Sequence, residues 1–138
     1  MTLDRKAVPV ASDRDAPYWE GARNGMLVLQ KCVECELLSS QPRVICPRCH
    51  GELFEWSKVS GRGDIHSFGI VRQTTASGFE DEVPYVVVHV QIAEEPTCYI
   101  TSNLIVDEDE FDHLTVGLPV EVTFEFRGDA ALPQFQLV

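Results

Sequence analysis

The chain has 138 residues, 44% of them hydrophobic, and a formal net charge of −11, which leaves room for one ordinary domain or two small ones. The first residues lack the apolar core of a signal peptide, and no apolar run approaches membrane-spanning length. Residues 59–138 carry only Arg62, Arg72 and Arg127 against fourteen Asp and Glu, so they hold the whole net charge; a surface of that kind repels a phosphate backbone and argues against nucleic acid as a partner.

Residues 1–14 are polar and mixed in charge and read as a mobile arm. A helix start follows at Asp15-Ala16-Pro17, with an acidic N-cap and a proline in the first turn, and Gly25 is its stop. Tyr18, Trp19, Ala22 and Met26 recur at helical spacing. A helix this short is unstable alone, so its aromatics must pack on the rest of the chain or on a partner. Three short strands are expected next, at 26–31, 42–45 and 53–58, the first two leading into cysteine pairs. Cys32-Val33-Glu34-Cys35 and Cys46-Pro47-Arg48-Cys49 are two Cys-x-x-Cys units separated by ten residues.

Four thiolates in two such pairs are what a tetrahedral soft-metal site needs; two disulfides, or thiols without a joint role, are the alternatives. A closed four-sulfur site leaves no open position and suits structural zinc, with rubredoxin-like iron as the other metal. Strand, metal turn, strand, metal turn, strand is the layout of a zinc ribbon, whose small core leaves metal binding to supply much of the folding free energy. The fifth cysteine, Cys98, lies in an apolar stretch and reads as a buried, inert thiol. An odd cysteine without an export signal points to a reducing cytoplasm.

From Val59 the pattern is that of a small all-β domain, with strands expected at 61–72, 84–92, 97–105, 119–127 and 132–138. Residues 120–126 alternate apolar and polar, as in a half-buried antiparallel strand. Residues 85–90 are nearly all apolar and suggest a strand buried on both faces. Residues 73–83 form a long polar loop, 128–131 a short one, and 107–114 one or two helical turns. Gly61-Arg62-Gly63 is too short for a nucleotide fingerprint and reads as a bulged or bent strand. The fold class is therefore mainly β: an N-terminal arm and helix (1–25), a rubredoxin-like zinc ribbon (26–58), and a five-stranded OB-fold barrel (59–138) with a short helix between its third and fourth strands.

An ordered series of motifs resembles the acyl-CoA-associated proteins that join a rubredoxin-like zinc ribbon to an OB-fold. It runs through Tyr18-Trp19-Glu20-Gly21, the two cysteine pairs with Pro42-Arg43 between them, and Trp56, Val59-Ser60-Gly61-Arg62-Gly63. It continues with Val83-Pro84-Tyr85, Ser102-Asn103-Leu104, Gly117, Pro119-Val120-Glu121-Val122, Leu132-Pro133 and Phe135. The resemblance covers residues 16–138. Glu36 departs from it, standing where the family often has glycine, and so does Glu94-Glu95-Pro96, in place of a glycine-containing turn. The resemblance implies a non-catalytic accessory subunit that binds acyl-CoA. Its partner would be a thiolase-superfamily enzyme (a lipid-transfer-protein-type thiolase or aldolase, or an acyltransferase) or an acyl-CoA hydratase, in lipid, sterol or polyketide metabolism.

No catalytic constellation stands beside that reading. His50, His66, His89 and His113 lie in no nucleophile or metal motif. The cations available to CoA phosphates near the ribbon–barrel junction are Arg43, Arg48, Lys58, Arg62 and Arg72, with Arg62 and Arg72 first because they sit at the head of the barrel. The competing readings are a nucleic-acid-binding zinc-ribbon and OB-fold protein, and an iron-containing electron carrier.

Overall fold

The computed structural model describes residues 6–138. Its elements are α1 (Ala16–Arg23), β1 (Leu27–Cys32), β2 (Leu38–Ser39), β3 (Phe54–Val59), β4 (Arg62–Val71), β5 (Tyr85–Ile92), β6 (Tyr99–Ile105), a 3₁₀ turn (Glu108–His113), β7 (Pro119–Arg127) and β8 (Ala130–Leu137). β2, β1 and β3 form a small antiparallel sheet, and the remaining five strands close a barrel in the order β4-β5-β6-β8-β7. The 3₁₀ turn lies between the third and fourth barrel strands, where Phe111 and Leu114 bury their side chains in the core. This is the OB-fold layout read from the strand pattern.

α1 ends as its sequence suggests. Gly25 takes a φ of +75°, the Met26 N–H reaches the Gly21 carbonyl at 2.8 Å and the Gly25 N–H reaches that of Ala22 at 3.0 Å, a Schellman ending. Its start differs in detail. The Asp15 carboxylate does not cap the helix but accepts from the Ser12 N–H at 2.7 Å and from the Trp19 indole N–H at 3.1 Å. One of the two aromatics finds cover within the chain: α1 packs on β1 and β8 and Tyr18 packs against the barrel core, while Trp19 stays half-buried. Burial, reinforced by the Asp15 charge, pushes the Tyr18 hydroxyl up to about 12. The described part of the arm is also held. Lys6 pairs with Glu82 at 2.8 Å and lies 4.8 Å from the centre of the Phe79 ring, while Arg127 donates to the Ala7 carbonyl at 2.8 Å.

Two strand readings change. Residues 42–45 form no strand. Pro42 has no N–H to offer a ladder, and both main-chain groups of Arg43 are taken by the Gln30 side chain (N–H to Oε1 2.8 Å, Nε2 to C=O 3.1 Å), so β1 pairs instead with the two-residue β2. β5 is not buried on both faces. Val86, Val88, Val90 and Ile92 point into the barrel, whereas Tyr85, Val87, His89 and Gln91 form a half-buried outer face.

The barrel and ribbon share one core. Leu27, Leu29 and Leu38 of the ribbon belong to the same buried cluster as Ile65, Val88, Val120 and Phe135 of the barrel. The Gly61–Gly63 stretch is a close approach rather than a bulge: a Cβ on Gly63 would strike the Gln91 carbonyl of β5. The irregularity of β4 falls between Ile65 and Ser67 and turns His66 outward.

Candidate metal centre and the ribbon–barrel seam

Each cysteine pair sits in a tight turn, and the two turns repeat one hydrogen-bond scheme. The Glu36 N–H bonds the Cys32 carbonyl and the His50 N–H bonds that of Cys46, both at 2.9 Å, while Cys32 and Cys46 donate to the carbonyls of Leu37 and Gly51 at 2.9 and 2.8 Å. The residue after each pair must then be left-handed, and Glu36 and His50 are the two non-glycine residues with positive φ among those described, at 66° and 65°. A side chain in that region costs roughly 1–2 kcal/mol. Glu36→Gly is therefore expected to raise the melting temperature by about 3 °C with zinc content unchanged, since the exposed Lys31–Glu36 pair at 3.9 Å contributes little. A lowered melting temperature would contradict this account of the turn.

The turns bring the four sulfurs together. Cys32 and Cys49 lie 3.6 Å apart, Cys35 and Cys46 3.5 Å apart, and all four within 4.8 Å of one another. A sulfur tetrahedron around zinc at ~2.3 Å has edges of ~3.8 Å, whereas a disulfide would need ~2.05 Å. The spacing therefore fits a metal and excludes disulfides within the set, and all five cysteines of the chain are free. The electrostatics agree. The Cys49 N–H, opposed by burial and helped by the Arg48 N–H, pulls the Cys46 thiol down to about 6. Cys49 is pushed up to about 12, the lowering by Gly51 being outweighed by burial and the neighbouring sulfurs. Four sulfurs this close cannot all be thiolates unless a cation sits among them. Cys32, Cys35, Cys46 and Cys49 would fill all four positions of a tetrahedral metal, whose contribution is structural.

The ribbon is fastened to the barrel by the Glu94-Glu95-Pro96 turn that departs from the resemblance. The Glu94 carboxylate accepts the Ser60 N–H at 2.6 Å. Glu95 meets the Arg48 guanidinium at 3.3 Å and the Thr97 hydroxyl at 2.9 Å. Cys98 is buried beside this seam, and desolvation, then the Glu95 charge, pushes its thiol up to about 11, the inert state expected of it.

Arg62 and Arg72 are not brought together. Arg62 opens the ten-residue β4 and Arg72 follows its last residue, so the two exposed guanidiniums stand at opposite ends of the strand. Arg43 does converge with another cation, Arg14, on a small hollow beside Gln30 and Pro42. The histidines also behave differently from a residue-by-residue reading. His66, His89 and Tyr99, from three adjacent strands, form a ring cluster on the outer barrel face with centroids 4.7–5.7 Å apart, and His89 Nδ1 lies 2.8 Å from the Thr101 hydroxyl. Only the strand register, including the irregularity at His66, brings these rings together.

Comparison with known proteins matches this geometry. Residues 19–55 fit the family model described as ChsH2, rubredoxin-like zinc ribbon domain, and residues 56–125 the one described as ChsH2, C-terminal OB-fold domain. A DUF35 domain-containing scaffold protein of Methanothermobacter thermautotrophicus is 40% identical over 96 residues, 68% of each chain. A probable enoyl-CoA hydratase alpha subunit of Thermomonospora curvata is 31% identical over 91% of this chain, which spans only 38% of that longer relative. Among solved structures, one described as Ltp2-ChsH2(DUF35) aldolase superposes with a TM-score of 0.80 at 27% identity, over 94% of this chain and 98% of that one. A DUF35-family protein from Sulfolobus solfataricus shares the fold, with a TM-score of 0.64 at 10% identity. With both halves of the architecture matched and a scaffold relative at this identity, the chain belongs to the ChsH2-type DUF35 family, in which a rubredoxin-like zinc ribbon is joined to an OB-fold.

Proposed function

We propose that this chain is a non-catalytic accessory subunit that assembles with a thiolase-superfamily enzyme or an acyl-CoA hydratase and helps to hold the partner's CoA ester, in lipid metabolism of the reducing cytoplasm. The observation that carries the reading is the superposition over 94% of the chain on the Ltp2-ChsH2(DUF35) aldolase. The relatives described as scaffold proteins and as a hydratase alpha subunit support it further. The chain's own chemistry is consistent: the metal centre is closed, and its four cysteines face one another rather than a substrate.

The ribbon offers a surface suited to such a partner. Val33 and Leu53, linked by a 3.0 Å main-chain hydrogen bond on one metal turn, are 48% and 66% exposed, and Val44 and Ile45, ahead of the other, are 62% and 53% exposed. Exposed apolar side chains beside the two cysteine turns are candidates for the dry centre of an interface. Leu53→Asp is expected to weaken assembly with the enzyme partner by about tenfold or more, with zinc content and melting temperature unchanged. The check is titration of the purified partner with wild type and variant; undiminished affinity would place the interface elsewhere.

A further inference from the structure

We propose that the nucleotide end of the CoA ester lies in the cleft between α1 and the ribbon, its phosphates between Arg14 and Arg43 and its adenine ring among Trp19, Trp56 and Tyr18. The assignment rests on the reading that this chain helps to hold a CoA ester, and names the residues that do so.

Arg48, Arg127, Lys6 and Lys31 are each neutralised by a carboxylate within 4.0 Å. Arg14 and Arg43 make no ion pair with a described residue, yet they line one hollow, with Pro42 and the buried Gln30 beside them. Two arginines without an ion pair lining one hollow, in a chain of net charge −11, make a site for a multiply charged anion. The segment carrying Arg43 is fixed in advance, because Gln30, 6% exposed, grips the Arg43 N–H and C=O together.

An adjoining cleft of about 360 Å³ is lined by Pro42, Tyr18, Trp19, Trp56 and Asp15. Its walls are held in place: the Trp19 indole is bonded to Asp15 at 3.1 Å and meets the Tyr18 ring edge-on at 4.9 Å. The Ser12 N–H is the main influence holding the Asp15 carboxyl below its ordinary range, so it is ionised at neutral pH and can accept a hydrogen bond from an exocyclic amine. An aromatic slot with a carboxylate at its rim suits a planar base that carries an amino group, and stacking on such walls contributes ~1–3 kcal/mol per base. An anion site abutting a base slot matches a phosphorylated adenosine better than it matches a bare acyl chain. A third hollow, sharing Ser40 and Arg43, continues along the seam past Cys98 and Tyr99 and offers the pantetheine arm a path out.

The chain provides its own reporter, since its two tryptophans, Trp19 and Trp56, both line this cleft. The zinc-loaded full chain, alone and with its enzyme partner, is titrated with CoA, adenosine 3′,5′-diphosphate, ATP and pantetheine, following indole fluorescence and calorimetry. CoA and adenosine 3′,5′-diphosphate are expected to give a saturable fluorescence change, and pantetheine none. The Arg14→Ala/Arg43→Ala variant, altered only at exposed positions, should weaken CoA binding about tenfold or more, and Arg62→Ala/Arg72→Ala less than about twofold. Loss of binding in the second variant but not the first overturns the assignment, as does ATP binding as tightly as CoA, or no CoA binding in either sample. Assembly with the partner is scored in the same samples: intact assembly with CoA affinity unaffected by Arg14 and Arg43 rejects this site and leaves the accessory-subunit reading standing. Failure of the wild type to assemble rejects that reading itself.

Discussion

Cys46→Ser is expected to empty the metal centre and unfold the ribbon around it. Cys46 is fully buried, its sulfur lies 3.5 Å from that of Cys35, and its N–H closes the second metal turn on the Gly51 carbonyl. Serine offers a harder, less readily ionised donor, and the remaining three sulfurs are left without their fourth corner. Beyond the metal the two cysteine turns have little to hold them, the second buried cluster comprising Cys32, Leu37 and Cys46. Structural zinc supplies on the order of 10 kcal/mol in small ribbons, more than the whole stability of many domains. Elemental analysis should therefore find about one zinc per wild-type chain and far less in the variant, with the two cysteine turns no longer protected from hydrogen exchange. Well-folded wild type free of zinc would refute the metal assignment, and a coloured protein containing iron would replace the zinc.

Phe135→Ala should be the most damaging change in the barrel. Phe135 is fully buried and pairs on one side with Val122 of β7 and on the other with Leu104 of β6, the join between β6 and β8 that helps to close the barrel. Truncating a phenylalanine in such a site costs about 3–5 kcal/mol, because the transfer free energy is lost and the strands around the void cannot fully collapse. For a chain of this length that corresponds to a fall of roughly 10–20 °C in melting temperature. Leu27, Leu29 and Leu38 share the same core, so zinc release and barrel unfolding should occur together in both wild type and variant. Calorimetry with a chromogenic zinc indicator measures both; zinc release well separated from barrel melting would show that the two parts unfold independently.

What the sequence reveals follows from how local each feature is. The spacing within and between the cysteine pairs is enough to bring four sulfurs to one point, and α1 is legible from Pro17 and Gly25, whose dihedral preferences act within a turn. The strand expected at 42–45 does not form: Val44 and Ile45 have β-forming side chains, but the Gln30 side chain, thirteen residues away from Arg43, takes the main chain there. β5 is less buried than its run of valines suggests, because the outer face is covered only in part. Glu36 was visible as a departure, and its left-handed φ explains why glycine would suit the position. The Arg14–Arg43 hollow joins the turn before α1 to the loop after β2, and the His66–His89–Tyr99 cluster joins three strands. Neither has a periodicity, since both arise only once tertiary packing sets the neighbours.

The central claim is that this chain works as one part of an enzyme complex. The direct measurement is purification of a tagged copy from its native host in physiological salt, with mass spectrometry of the retained protein and light scattering of the assembly. The account predicts a stable hetero-oligomer in which the second component is a thiolase-superfamily enzyme or an acyl-CoA hydratase in fixed ratio to this chain. Recovery of the chain by itself, or bound to nucleic acid in a salt-sensitive manner, would contradict it.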